Sequence, residues 1–348
     1  MVRVCSDGDV ADCLDLADLL GVVRDAFRKQ GRGEVERPDR PHFPVGIGLD
    51  GRSSTETSDT SEASTPAGTG LVMPAYLHGA RFYATKLVGV HEGNAERGLP
   101  TVNAQIALTE AETGLPAGYL AGTRITNART GCIGGLAAAE LAAGAGPQGR
   151  ESDGLALALI GAGTQARWQA RAIAAATDLR SVRVYSPSDS KESCAADLRE
   201  EFEERNVSVE TAKSPEAAVS GANVVVTATT ATEPVFPADA LAPGALVVAV
   251  GAYTAEMQEL APAVFERASR VFADVPEEVA EIGDAIAADL AEDDFVLLSE
   301  VFEGRAGRES DDEILVVESV GTAVLDAASA EYVFEEAEER DIGTEVEL

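Results

Sequence analysis

Residues 155–160 (LALALI) form an unbroken aliphatic run that stops at Gly161-Ala162-Gly163 and passes directly into a helix-compatible stretch. A short apolar run closed by glycine and followed by helical periodicity predicts a buried strand, a tight turn and a helix. Downstream the pattern keeps alternating, with strands predicted at 155–160, 181–186, 207–210, 223–228, 246–250 and 270–273 and helices at 164–176 and 191–205. Strand, helix and strand in succession predict a parallel, doubly wound sheet. Upstream, residues 9–30 carry apolar positions at helical spacing, with Asp9 as candidate N-cap. Residues 35–49 and 70–90 alternate apolar and polar side chains, and 101–122 read as a hairpin turning at Thr113-Gly114. An Ala-rich helix is expected at 126–143 before a Gly-rich break at 144–149, and one long helix at 319–340. Residues 50–69, rich in Ser, Thr, Gly and acid, predict a mobile surface loop without chemistry.

With 348 residues, 45% of them apolar, the chain is long enough for two cores. A domain made of residues 1–130 and completed by the C-terminal helix is expected beside the doubly wound domain. Acidic residues outnumber basic ones 60 to 27, giving a net charge of -33, and only Lys29, Lys86, Lys191 and Lys213 are lysines. Such a surface repels nucleic acid and anionic membranes, which excludes both as expected partners. Acidity spread along the chain with so little lysine resembles the surfaces of proteins from salt-loving microbes; an acidic cytosolic protein in ordinary salt is the plainer alternative. The four cysteines (Cys5, Cys13, Cys132, Cys194) and three histidines (His42, His78, His91) show no metal-ligand spacing, so no metal is expected. Without a membrane-length apolar segment or a charged leader before an apolar core, a cytoplasmic protein with reduced thiols is expected.

The chemistry centres on Gly161-x-Gly163-x-x-Ala166. Gly161 permits the sharp turn, Gly163 lets backbone approach a pyrophosphate, and Ala166 allows close packing of helix on strand. The helix N-terminus then presents free N–H groups to the phosphates. The second strand ends at Ser186-Pro187-Ser188, with Lys191 following, where an NAD site usually carries a carboxylate. Hydroxyls and an ammonium there favour NADP, with NAD as the alternative if the serines only cap the next helix. Lys86 lies in an otherwise apolar strand and must reach solvent or face a pocket. Arg129-Thr130-Gly131-Cys132, read as a helix start, offers a guanidinium for a substrate carboxylate; a surface ion pair is the plainer alternative.

These residues add up to a resemblance over nearly the whole chain to the ornithine cyclodeaminase/mu-crystallin family. It is carried by Pro38-x-Arg40, Lys86 in TKLV, and Gly98-Leu99-Pro100-Thr101-Val102. Thr123-Arg124-Ile125-Thr126 leading to Arg129-Thr130-Gly131, GAGTQA, VGAYTAEMQEL and SVGTAVLD complete it. The resemblance implies an α/β architecture, with a central Rossmann NAD(P)-binding domain at 131–319. A substrate-binding and dimerisation domain would come from 1–130 plus 320–348, in a homodimer. It implies that Arg40, Lys86, Thr101 and Arg129 meet the substrate, with Lys86 and Arg129 catalytic. Gly161, Gly163, Thr164, Gln165, Ala166, Ser186, Ser188 and Ser319 would meet the cofactor. One departure bears on the reaction: cyclodeaminases resemble this chain up to an aspartate whose position here is Tyr253, and a phenol with an ordinary pKa of ~10 is a poor substitute for that carboxylate. The expected activity is therefore NAD(P)-dependent oxidoreduction at the C=N or C–N bond of a small imino or amino acid, of the cyclic ketimine or pyrroline-carboxylate reductase type. Ornithine cyclodeaminase, alanine dehydrogenase and a non-catalytic NADP-binding crystallin-like protein are the alternatives.

Overall fold

The computed structural model describes residues 1–47, 49, 66–144 and 154–347, in two compact units. The expected loop at 50–69 and the break at 144–149 fall mostly outside the described residues; Gly68 and Thr69 already belong to a strand.

The first unit comprises Met1–Leu14, Val35–Thr126 and Asp326–Leu348. Its strands are β1 (Val2–Cys5), β2 (Val35–Glu36), β3 (His42–Val45), β4 (Gly68–Leu77), β5 (Phe82–Val90), β6 (Val102–Glu110), β7 (Pro116–Ala121) and β16 (Thr344–Val346). They form a sheet in the order β16-β1-β7-β6-β5-β4-β2, with β3 also on β4. Period-two alternation turns Phe82, Ala84, Lys86 and Val88 of β5 inward and leaves Tyr83 and Leu87 on the outer face. Helices α1 (Asp7–Cys13) and α11 (Ala323–Glu339) accompany the sheet, and Phe334 of α11 meets Phe82 edge-on at 5.2 Å between ring centroids. The predicted helix at 9–30 is two helices: α1, capped by Ser6 with Asp9 closing the capping box, and α2 (Leu16–Gly31), capped by Asp15. Asp9 is thus the third helical residue, not the cap. Local side-chain acceptors at Ser6 and Asp15 restart the helix where periodicity alone reads continuity. Similarly, the predicted strand region 70–90 is the pair β4 and β5, separated at Gly79, whose φ is +83°.

The second unit comprises Asp15–Glu34 and Asn127–Leu325. Residues 15–34, grouped with the first domain in the sequence reading, therefore fall here: Phe27 of α2 lies 5.2 Å from Phe302, and Arg28 Nε donates to the Phe302 carbonyl at 2.9 Å. Its strands are β8 (Leu155–Ile160), β9 (Leu179–Tyr185), β10 (Ser208–Thr211), β11 (Val224–Thr227), β12 (Leu246–Ala249), β13 (Arg270–Ala273), β14 (Phe295–Leu297) and β15 (Leu315–Glu318). All pair in parallel, in the order β10-β9-β8-β11-β12-β15-β13-β14. β8, β11, β12 and β15 are buried at every position, as expected where a parallel sheet is covered on both faces. The helices are α3 (Gly122–Leu141), which begins within the first unit, α4 (Thr164–Ala176), α5 (Ser190–Glu201), α6 (Pro215–Val219), α7 (Pro262–Arg267), α8 (Pro276–Val279), α9 (Gly283–Ala287) and α10 (Leu298–Phe302). β14 and β15 are absent from the sequence reading, and the predicted helix at 319–340 starts only at Ala323. These strands are three and four residues long, too short for alternation to show.

Candidate active site

The chain reverses between β8 and α4 at Gly161, whose φ is +111° and whose missing Cβ would lie 2.4 Å from the Ala228 carbonyl oxygen. Only glycine fits that turn. Gly163 differs: as N-cap of α4 it supplies no side-chain cap, and a Cβ there would meet nothing within 4 Å. An uncapped helix start beside open space fits a pyrophosphate, whose oxygens can accept from the first-turn N–H groups. Ala166 is fully buried, so helix and strand pack closely as the motif predicts. Arg167, overlooked in the sequence, donates to the carbonyls of Ala162 (2.6 Å) and Gly163 (3.2 Å) and pairs with Asp197 at 2.6 Å. It holds the glycine turn from behind. Thr164 is exposed at the helix start, whereas the Gln165 amide donates to Asn127 Oδ1 at 2.8 Å on α3.

Beyond β9 a small hydroxyl cluster forms. Ser186 Oγ lies 3.2 Å from Ser188 Oγ, which lies 2.7 Å from Ser190 Oγ, and Lys191 Nζ donates to the Ser186 carbonyl at 3.1 Å. Asp189, at the N-cap of α5, makes no side-chain cap bond. The serines sit where a ribose is read in doubly wound sheets.

Arg129 lies two turns into α3 and not at a helix start as the sequence suggested, because the helix begins at Gly122, ahead of the Ala-rich stretch that marks it in the sequence. It is 5% exposed. Its guanidinium lies against Gly321, where a Cβ would come within 2.6 Å of Nη1; φ at Gly321 is +76°. Beside it, Asp274 accepts from Ser319 Oγ (2.6 Å), Gly321 N (2.8 Å) and Val320 N (3.2 Å). Burial pushes the Asp274 carboxyl above its usual range, against the pull of these donors and of the Arg129 charge. Ser319, expected at the cofactor, thus gives its hydroxyl to Asp274. Asp274 joins Arg129 and Ser319 in one cluster, and nothing in the sequence reading singled it out.

In the first unit, Lys86 is 2% exposed between Met73 and Ile106 of the neighbouring strands. Its Nζ lies 2.6 Å from Oδ2 of Asp326, which is 1% exposed in the first turn of α11. Lys86 does not reach solvent and faces Asp326 instead. Asp326 stands at the end of the SVGTAVLD stretch, but its pairing could be seen only in three dimensions. Arg40 is half-buried between β2 and β3, beside Pro41, whose carbonyl accepts from Val72 N at 3.1 Å. Thr101 is exposed ahead of β6, with its carbonyl accepting from His91 N at 2.8 Å. Tyr253 is 39% exposed in the segment after β12. All four cysteines are buried free thiols; burial pushes Cys5 up to about 11 and raises Cys132 further, which makes them poor nucleophiles. Among the described residues no group of histidine, cysteine and acid suits a metal, and no helix is long and apolar enough to cross a membrane.

An all-parallel, doubly wound sheet with a glycine turn at its first strand defines a Rossmann-type dehydrogenase architecture. Comparison narrows this. The family model for the ornithine cyclodeaminase/mu-crystallin family matches residues 2–341, and the chain belongs to that family. It is 30% identical to alanine dehydrogenase of Archaeoglobus fulgidus over 350 residues, covering 99% of this chain and 98% of that protein. With a Bacillus cereus delta(1)-pyrroline-2-carboxylate reductase it shares 31% identity over 304 residues, 85% of this chain and 90% of that one. Among solved structures, Thermococcus litoralis delta(1)-pyrroline-2-carboxylate reductase in complex with NADH and L-proline superposes with a TM-score of 0.86 at 27% identity, covering 99% of this chain and 100% of the other. An archaeal alanine dehydrogenase dimer with bound NAD gives 0.84 at 28% identity, covering 100% and 99%.

Proposed function

We propose that this protein is an NAD(P)-dependent oxidoreductase that reduces the C=N bond of a small cyclic imino acid, of the pyrroline-carboxylate or ketimine reductase type. The observation that carries this reading is the buried Lys86–Asp326 pair. A lysine and an aspartate withdrawn from water cost several kcal/mol each in desolvation, roughly, and such a pair is weak as a stability device. A proton donor held at a fixed point answers a catalytic need.

In this reading a bound nicotinamide supplies hydride. At the substrate the C=N bond becomes a single bond, carbon gaining the hydride and nitrogen gaining one proton from the Lys86 ammonium. Asp326 compensates the lysine charge and fixes its orientation. Arg40, Thr101 and Arg129 are the further candidates for contact with the substrate. The helix start at Gly163 and Thr164 would receive the pyrophosphate, with Gly161 shaping the turn and Ala166 letting the helix pack close on the strand. The serine corner at Ser186 and Ser188, with Lys191, favours NADP, although the solved relatives named above carry NADH or NAD.

Alanine dehydrogenase activity is the second reading, favoured by the match along 99% of the chain to the Archaeoglobus enzyme. Tyr253 in place of an aspartate disfavours ornithine cyclisation. The discriminating experiment assays pyrroline-2-carboxylate, piperideine-2-carboxylate, pyruvate with ammonia, and ornithine, each with NADH and NADPH. Turnover of pyruvate with ammonia alone would replace the leading reading by the second. Ammonia release from ornithine without net cofactor consumption would replace both, and binding of NADPH without any turnover would favour a crystallin-like role.

We also propose a cytoplasmic homodimer. Tyr83, Leu87 and Tyr119 are 39–43% exposed on the outer face of the first unit's sheet, the kind of apolar face that a second copy covers. Sedimentation at a single monomer mass across micromolar concentrations would remove this part.

A further inference from the structure

Glu259 is completely buried, yet its carboxylate accepts four hydrogen bonds. Oε1 accepts from Thr229 N (2.7 Å) and Thr229 Oγ1 (2.8 Å); Oε2 accepts from Gly251 N (2.8 Å) and Thr227 Oγ1 (2.9 Å). One side chain therefore ties the segment leaving β11 to the segment leaving β12. It also closes its own loop, because the chain from Gly251 to Glu259 carries Tyr253 and returns to its start. Asp284 of α9 fastens the far end, accepting from Glu259 N (2.8 Å) and Leu260 N (2.7 Å), while Gly283 N donates to the Thr254 carbonyl at 3.1 Å.

Both tied segments lie at the carboxyl ends of their strands. The strand order reverses between β8 and β11, and doubly wound sheets take a dinucleotide across such a switch point. The glycine turn after β8 and the serine corner after β9 take one half. The segments after β11 and β12 are left for the other.

We propose that Glu259 is a positioning residue for the nicotinamide half of the cofactor, holding the backbone at Thr229 and Gly251 and the loop of Tyr253 in the shape that receives it. The inference rests on reading the chain as a dinucleotide-dependent enzyme. An ionised carboxylate serves all four donors as they stand, whereas a protonated one must reverse or give up the bond from the Thr227 or Thr229 hydroxyl. Protonation therefore weakens the tie, because the bonds to a neutral carboxyl are no longer charge-assisted. The titratable groups near Glu259 are Asp284 from α9 and Glu318 from β15, both acidic and both pushed up chiefly by burial. Burial outweighs the four hydrogen bonds and pushes Glu259 up to about 7, so the tie loosens in the physiological range.

The test titrates NADH and NADPH by fluorescence onto the parent, Thr229→Val and Glu259→Gln from about pH 5.5 to 8.5, bracketing that transition. If only the ionised form binds well, parent affinity falls about tenfold per pH unit below the transition. Thr229→Val removes one donor from Oε1 and moves the transition upward. Glu259→Gln, with an NH2 set against two donors, binds weakly and loses the transition. Parent affinity independent of pH, or a transition that Thr229→Val leaves in place, overturns the proposal while the oxidoreductase reading stands. Thr229→Val decides the matter even if Glu259→Gln fails to fold. A parent that binds neither dinucleotide at any pH overturns that reading and this proposal together.

Discussion

Lys86 and Asp326 are 240 positions apart in sequence, and their Nζ and Oδ2 atoms lie 2.6 Å apart in the core of one unit. Because each compensates the other's buried charge, removing one leaves the other uncompensated, at a cost of about 3–5 kcal/mol. Lys86→Ala is therefore expected to lower both stability and imine reduction, which confounds its interpretation. Replacing both, as Lys86→Met with Asp326→Leu, removes the charges together and is expected to keep the fold while losing about 10²–10⁴ in kcat/KM. Calorimetry and steady-state reduction of pyrroline-2-carboxylate check this. A folded double variant with parental activity would show that the pair is structural.

Gly163→Val should abolish dinucleotide binding without unfolding the chain. A Cβ at this position meets nothing within 4 Å, so the added side chain occupies the phosphate's approach and not the core. Gly161→Ala is expected to unfold the same region, since its Cβ would collide with the Ala228 carbonyl. Equilibrium dialysis against NADPH, with melting curves for both variants, separates the two effects.

Ser186→Asp should move cofactor preference from NADP toward NAD. Ser186 Oγ already lies within 3.2 Å of Ser188 Oγ, and a carboxylate there would repel a 2′-phosphate while accepting from a ribose hydroxyl. The ratio of NADPH to NADH dissociation constants reports the change. An unmoved ratio would place Ser186 away from the ribose.

Stability should fall as pH rises through about 6 to 7. Burial pushes Asp284 up to about 6 and Glu259 up to about 7, and raises Asp274 and Glu318 as well. Between their unfolded and folded values the native state holds protons that the unfolded chain has released, so the stabilisation is full at low pH and lost on crossing the folded value. For Glu259 the rise from 4.5 to about 7 corresponds to roughly 3 kcal/mol. Carboxylates held low at the surface, such as Asp9 and Glu300, act oppositely and only at more acid pH. Thermal melts are expected to show a lower Tm at pH 8 than at pH 6. Affinity for the dinucleotide should rise over the same interval, and parallel trends would contradict the role assigned to Glu259.

Salt should raise Tm. With a net charge of -33, like-charge repulsion opposes compaction in dilute buffer. Screening relieves it as the Debye length shrinks to ~3 Å at molar salt. Melting in dilute and molar KCl measures the effect, and a salt-independent Tm would argue against an adaptation to brine.

The parallel sheet, its glycine turn and the helix after it were legible along the chain because each is local. LALALI is apolar at every position, GAGTQA turns the chain within six residues, and strand β8 and helix α4 fall where periodicity predicts them. Lys86 was legible as an anomaly, a charge in an apolar strand, but its direction was not. Whether it met water or an acid depended on α11, which returns from the far end of the chain to put Asp326 beside it. Asp274, Arg167 and Glu259 were not singled out because many of their partners are main-chain groups: the Ala162 and Gly163 carbonyls for Arg167, and N–H groups of Thr229, Gly251, Val320 and Gly321 for the two acids. Every residue carries such groups and no composition marks them. Local sequence determined the longer elements and where the glycine turn lies. Tertiary packing decided which charges were withdrawn from water and paired, because burial and hydrogen bonding are properties of the assembled neighbours.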